Sequence, residues 1–509
     1  MTWLIAKKDF LLNIISARFV IGFLLCLVVI PFTLVVGVDN YKNRIRVYQV
    51  YKKEVEDAKK DIRVYSQVRP EIVTPPEPLS IFSRGISDNI GNRVKIQLGE
   101  YPLFPSGHTA TRDNPLLNAF FSIDFATVIA ILMSLLALVF SYDIFTRERE
   151  EGTLKLMLTG GLSRTAFLTG KLLGIIITLV PILLFCFLLG ILVVATSPAV
   201  QFSAGEWGGV ALLFLSSLLY LAVFILLGMF ISAKSRRSST SIVVSLLCWI
   251  WLLFLTPNIA SYISQSFVKT EMYDNVQFAM NDLDNQFWKE RGEKWNTIQK
   301  ELGMTGLSWW NYSGGNDGTE IMTSGMKEAY EFHRRLNSWK EPARIDYADK
   351  KWAIQKKYLD DLLYQEKVRE YLSWLSPVGI FEQITELQCR TNPAIFLRYL
   401  EHVRAYRESV IRYFKDKKLF ETFIYFTPVP ESFFMDDEKL NAARTTDAKE
   451  LYHNNYPTLN LDDVPVFEYK GATVASSMND SLGRMAGLLV LCIILLGATV
   501  VSFIKYDVR

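Results

Sequence analysis

The chain has 509 residues, 50% of them hydrophobic and 21% charged, with a formal net charge of +3. So small a charge gives no reason to expect a nucleic-acid partner, and no basic stripe interleaved with aromatics stands apart from the apolar runs. Those apolar residues are clustered rather than periodic throughout, which argues against a greasy soluble protein and for membrane spans.

Residues 1–18 come first as an interfacial amphipathic helix. Plotted at about 100° per residue, Thr2, Asp9, Asn13 and Ser16 share a narrow polar stripe, while Trp3, Leu4, Phe10, Leu11, Ile14 and Ile15 spread over the rest. The pattern predicts a helix in the inner interface, with Trp3 at headgroup level and Lys7 and Lys8 snorkelling outward. A cleaved signal peptide is the rival reading, since basic residues precede an apolar stretch and Val35-Val36-Gly37 suits a signal peptidase. The amphipathic pattern weighs against it.

Six runs are long enough to cross a hydrocarbon core of roughly 30 Å as helices: 19–36, 123–142, 172–195, 210–232, 241–260 and 485–505. Between the first two, 37–122 opens with alternating charged and aliphatic residues through Lys60, which predicts that the first span continues as a helix. Pro70, Pro75, Pro76 and Pro78 then end it. Short alternating runs at 79–82 and 94–98, with Gly85 and a turn at 89–92 between them, predict a small β element in a mixed α/β unit.

The linker 143–171 is the densest stretch of charge between spans. Arg147, Glu148, Arg149, Glu150 and Glu151 arrive together, Gly152 and Thr153 break the helix, and Leu154, Met157 and Leu158 then fall on one side at helical spacing. Gly160 and Gly161 supply a stop and Ser163 can cap the next helix, so the linker reads as a short helix between two turns. Carboxylates at a helix carboxyl end oppose its dipole at about 0.3–1 kcal/mol each, so Glu148, Glu150 and Glu151 need cationic partners. For any one of them that partner is another protein or Arg147, Arg149 and Arg164; for the whole segment the apolar face favours docking. Pro181 in the third span is a candidate hinge or a static kink.

The short loop 196–209 has no Lys or Arg, and the short loop 233–240 has Lys234, Arg236 and Arg237. With Lys7, Lys8, Arg18, the linker cations, Lys505 and Arg509, the positive-inside rule makes both termini cytoplasmic, including the tail 506–509. The long segments 37–122 and 261–484 are then outside, where their own charge does not count against them.

The domain 261–484 reads as mostly helical, over 271–300, 320–339, 347–375 and 394–414. Its aromatics, among them Phe278, Phe287, Trp288, Trp295, Phe332, Trp352, Tyr364, Tyr371 and Trp374, suit either a packed core between helices or a surface for a lipid or peptide substrate. Of five cysteines only Cys389 lies outside the spans, which excludes a disulfide framework there. His108, His333, His402 and His453 lack metal-ligand spacing, and Ser106-Gly107-His108 lacks a nucleophile elbow, so neither a metal site nor hydrolase chemistry has support. No GxxxxGK[ST] loop occurs, and no row of intramembrane carboxylates marks a proton relay. Energy, where the chain uses it, has to come from a partner.

Asp124 at the head of the second span, Asp143, the block from Arg147 through Leu154, Leu162-Ser163-Arg164 and Gly170-Lys171 resemble the pattern of ABC-2-type transporter permeases. The long segments resemble those of a subfamily with large insertions after the first and fifth spans, with Pro78-Leu79-Ser80-Ile81-Phe82, Arg84-Gly85 and Leu375-Ser376-Pro377 as landmarks. Permeases for gliding-motility assembly and for maturation of secreted copper enzymes resemble it more distantly. The resemblance implies an α-helical integral membrane protein of the inner membrane of a bacterial cell, with six transmembrane helices and a mostly helical extracytoplasmic domain. It implies a permease subunit, not itself an enzyme, that pairs with an identical or related permease in the membrane lipid. A separate cytoplasmic ABC ATPase would hold ATP and Mg, with no cofactor in this chain. The coupling residues would be Arg147, Glu148, Arg149, Glu150, Glu151, Gly152, Thr153, Leu154, Met157, Leu158 and Arg164. The alternative is a non-transporting scaffold or receptor whose outer domain binds an envelope protein; a channel lacks any filter motif. An outer domain of this size favours a large or lipid-linked cargo, or a periplasmic partner, over a small ion.

Overall fold

The computed structural model describes residues 1–86, 93–100, 124–304, 309–313, 320–443, 448–469 and 473–504. The turn expected at 89–92, Ser106-Gly107-His108 and the tail 506–509 lie outside the described residues.

Among the described residues, six helices are long and apolar enough to cross a membrane: Ala17–Ala58, Phe125–Glu150, Arg164–Ala195, Ala204–Lys234, Ser238–Phe267 and Val474–Ile504. They are called spans one to six here. Spans two and four form the centre; 72% of the most apolar window of span two is buried in protein, against 11% for span five. Span one continues as a helix to Ala58, past Pro31, as its alternation of charge and aliphatic residues leads one to expect. Asp124 caps span two, accepting from the Thr127 N–H at 2.8 Å and from the Arg84 N–H at 2.9 Å.

Spans two and five each carry a π-helical turn, Ile129–Met133 and Trp251–Leu255. Such a turn frees backbone carbonyls that lipid cannot satisfy. Here the Tyr220 hydroxyl of span four donates to the Ala130 carbonyl at 2.9 Å, and the Ser376 hydroxyl donates to the Leu252 carbonyl at 2.8 Å. Both turns are therefore places where another element is fastened to a span.

In the first insertion, strand β1 (Glu71–Val73) pairs antiparallel with β2 (Arg93–Lys95), placing Ile72 opposite Val94. The run at 79–82 is not a strand. Pro78–Ile81 forms a 3-10 turn, and Leu79, Ile81 and Phe82 are buried in the core of the spans. Alternation there mimicked a strand, but Pro78 fixes the first φ of a turn, and the apolar residues enter the bundle rather than a sheet.

The second insertion contains the helices Tyr273–Glu301, Lys327–Ser373, Pro377–Cys389 and Pro393–Asp416. Residues 320–325 correct the expected helix 320–339: Glu320–Gly325 is strand β4, paired antiparallel with β3 (Trp309–Ser313). Ile321 and Thr323 favour a strand, and the pairing outweighs the helical reading of the neighbourhood. The helix that follows runs unbroken through Pro342 and fuses two segments expected to be separate. The aromatics of these two long helices divide: Phe287, Phe332 and Trp352 are buried, whereas Phe278, Trp288, Tyr364 and Tyr371 are exposed.

The helix Pro377–Cys389 docks among the spans. Val378, Ile380, Phe381, Ile384 and Cys389 join the span core, and Phe381 stacks on Tyr220 with ring centroids 4.4 Å apart. Gln388 Nε2 donates to Ser216 Oγ of span four at 2.9 Å and to Ser481 Oγ of span six at 3.3 Å. Arg390 ends the helix in the left-handed region at φ 59° and pairs with Glu77 at 2.7 Å and Glu206 at 3.4 Å, tying both insertions to span four.

Candidate functional site

The linker between spans two and three folds against the amino-terminal helix Thr2–Ile15 and the ends of spans three to six. That helix lies along span three, where Gly170 and Gly174 permit the approach: a Cβ on Gly174 would stand 2.9 Å from Asp9 Cβ. The expected polar stripe faces protein rather than water. Asn13 Nδ2 donates to Thr178 Oγ1 at 3.3 Å, while Trp3, Leu4, Leu11, Leu12 and Ile15 are exposed on the opposite side.

Three buried charges meet where these elements cross. Lys171 Nζ lies 2.7 Å from Glu148 Oε1 and 3.0 Å from Asp9 Oδ1, and all three residues are buried. The other oxygen of Glu148 accepts from the Thr153 hydroxyl, which begins the short linker helix. One lysine thus joins the amino-terminal helix, the end of span two and the start of the linker helix to span three. Isolated, any of these charges would be expensive to bury; together they fix a geometry.

Three further charges, Arg149 and Glu150 of the block and Arg164 beyond it, meet helix ends. Arg149 donates to the Ser235 carbonyl at 2.7 Å and the Ala233 carbonyl at 3.0 Å, where span four ends. Glu150 accepts from the Ser238 N–H at 2.9 Å and the Ser238 hydroxyl at 2.7 Å, where span five begins. Arg164 donates to the Ile504 carbonyl at 2.5 Å, at the end of span six. Each charge complements the dipole of the helix end it meets. Asp143 pairs with Arg18 of span one at 2.9 Å. Arg147 and Glu151 remain on the surface, 3.9 Å apart.

Gly152 and Gly161, at φ 72° and 84°, supply the turns on either side of the linker helix Thr153–Thr159. Its two faces differ sharply. Leu154 is 1% exposed in the span core and Met157 packs against that core, whereas Leu156 is 73% exposed beside exposed Lys155 and Thr159. The side chain of Leu158 lies outside the described part. The apolar face read from Leu154 and Met157 thus anchors the helix, and the surface it presents is centred on Leu156. Pro181 lies within span three without interrupting it.

Sequence reasoning missed Asp9 and Lys171 as partners of Glu148, and Leu156 as the exposed apolar residue. Lys171 left one signal: an interior-facing lysine at the start of an apolar helix needs a carboxylate, and Asp9 lies on the one polar stripe nearby. Among the described residues, no group of three or more His, Cys, Asp or Glu could hold a metal ion.

A protein-family model described as ABC-2 family transporter protein matches residues 3–508. No curated protein matches the chain.

Proposed function

The chain belongs to the ABC-2 family of transporter proteins, and from that membership we propose that it couples ATP hydrolysis in a separate cytoplasmic ATPase to export or extraction of a substrate. It is a multi-pass membrane protein and a permease component. The proposed ATPase contact is the exposed side of the linker helix, Leu156 with Lys155 and Thr159, flanked by Arg147 and Glu151. The loop residues Arg236 and Arg237, also exposed, form a second and smaller contact. In this reading both termini are cytoplasmic, the two insertions are extracytoplasmic, and a second permease, identical or related, completes the membrane unit.

The observation that carries the reading is the pairing of Leu156, bare, with Leu154, buried, on one short helix. A solvated loop gains nothing from an exposed leucine there. A helix clamped from behind and apolar in front suits a socket on another protein. Force on it reaches span two through Thr153 and Glu148, and span three and the amino-terminal helix through Lys171. Glu148, Arg149, Glu150 and Arg164 thereby act as positioning residues, and Pro181 is proposed as the place where span three bends.

Leu156→Asp tests this. The ATPase should no longer co-purify with the variant, and its activity should lose its dependence on the permease while the permease keeps its melting temperature. Undiminished co-purification and coupling would remove the contact from Leu156. The scaffold reading draws on the exposed Phe278 and Trp288 of the second insertion. Binding of an envelope protein there, with no ATP-dependent transport in vesicles, would favour it.

A further inference from the structure

The triad of Asp9, Glu148 and Lys171 sets two carboxyls against one ammonium. With every member ionised it carries one negative charge in excess, and it does so inside protein: Asp9 is 7% exposed, and Glu148 and Lys171 are each 3% exposed. An excess carboxylate in such a place is costly, and the usual escape is to keep a proton.

The contacts decide which carboxyl keeps it. Glu148 is served on both oxygens, Oε1 by Lys171 at 2.7 Å and Oε2 by the Thr153 hydroxyl. Asp9 is served on one. Its Oδ1 lies 3.0 Å from Lys171 Nζ, while Oδ2 is enclosed with no hydrogen-bond partner among the described residues. The remaining cations nearby are no substitute, since Lys8 on the same helix is exposed and Arg147 lies at the surface beside Glu151. Across from Asp9, span three presents Gly174, which brings backbone and no charge. A lone bare oxygen is a poor place for a metal ion, which gathers about six oxygens or more, whereas a proton asks for one. Burial pushes the Asp9 pKa up; Lys171 opposes the rise, the Glu148 carboxylate adds to it, and Arg147 opposes it more weakly.

We propose that the triad is a proton-operated clamp, in which Asp9 takes up and gives up a proton while Glu148 stays ionised on Lys171. The protonated form is the tight one, because it leaves the cluster neutral. When Asp9 ionises, two carboxylates compete for one lysine, and the hold of the amino-terminal helix on the linker and span three slackens. Conversely, drawing Glu148 away frees Lys171 for Asp9, whose proton then passes to the surrounding water. The folded pKa of Asp9 lies above the unfolded value near 3.8, so the proton's contribution to stability is full below that value and is lost as pH rises through the folded pKa. The inference needs the triad but not the ATPase contact, so the two fail separately.

The test is infrared difference spectroscopy of the full chain, in vesicles of phosphatidylethanolamine and phosphatidylglycerol, as pH is raised. Glu386 stands on the hairpin that Lys327–Ser373 and Pro377–Cys389 form at the opposite end of the bundle, and any band it gives cancels when the spectrum of Asp9→Asn is subtracted. The expected result is a protonated-carboxyl band that persists above the pH at which ordinary aspartates ionise and is missing from Asp9→Asn. The same band should be missing from Glu148→Gln, because the lysine released there draws Asp9 into ionising. Asp9→Asn has the shape of the protonated side chain, so it should also keep its melting temperature in acid and lose the decline toward alkaline pH that Asp9 causes. Identical spectra for the unsubstituted chain and Asp9→Asn, a band that survives in Glu148→Gln, or an unchanged pH dependence of melting in Asp9→Asn each overturns the proposal.

Discussion

The linker at one end of the bundle and the hairpin at the other are both short helical detours between long helices, yet they handle charge in opposite ways. In the linker each buried charge has a partner: Lys171 with Asp9 and Glu148, Arg149 with the end of span four. On the hairpin formed by Lys327–Ser373 and Pro377–Cys389, exposed Glu382 and half-buried Glu386 stand one turn apart with no ion-pair or hydrogen-bond partner among the described residues. Burial, and then the Glu382 carboxylate, push the Glu386 pKa up to about 8. Paired charges fasten elements rigidly, whereas bare ones leave a place that responds to its surroundings.

The contrast is easiest to break at Lys171. Lys171→Met leaves two carboxylates buried without compensation and should cost about 3 to 5 kcal/mol, read as a lowered melting temperature of the reconstituted chain. A melting temperature close to that of the unsubstituted chain would mean the triad is not the fastening we describe. Glu386 should behave in the opposite sense. Its folded pKa lies above the unfolded value near 4.5, so the folded state holds the extra proton between the two. Stability falls as pH rises from about 4.5 through about 8. Glu386→Gln should flatten melting temperature against pH over that window and raise it at the alkaline end; an unchanged slope would show the carboxyl to be solvated.

Smaller effects sharpen the comparison. Ser376→Ala removes the hydroxyl from the Leu252 carbonyl and should cost about 1 kcal/mol, with faster amide exchange at the tip as a second readout. Exchange unaltered at 374–378 would mean the π-helical turn of span five does not hold the hairpin. Smallest of all for stability is Leu156→Asp, whose effect on melting should be negligible because the side chain is exposed, while ATPase association is lost.

The linker was more legible than the hairpin for a physical reason. Helix breaks at Gly152 and Gly161 and the cap at Ser163 are local signals, readable from the residues themselves. The amphipathic face was half read: the 3.6-residue period picks out Leu154 and Met157, but it cannot say whether that face meets its own bundle or another protein. The hairpin's docked helix escaped because 13 residues are too few to look like a span and too apolar to look like a surface helix. Leu375-Ser376-Pro377 stood out only as a landmark of resemblance.

By itself the sequence determined six spans, the long helical continuation of span one and the short linker helix. Each follows from run length, periodicity or turn residues, all local along the chain. Only the tertiary structure decided that Lys171 pairs with both Asp9 and Glu148, that Arg149, Glu150 and Arg164 cap spans four, five and six, and that Pro377–Cys389 belongs among the spans. Those pairings join residues from far apart in the chain. What selects them is the cost of leaving a charge or carbonyl unpaired in an apolar interior, and that cost appears only once the helices are packed.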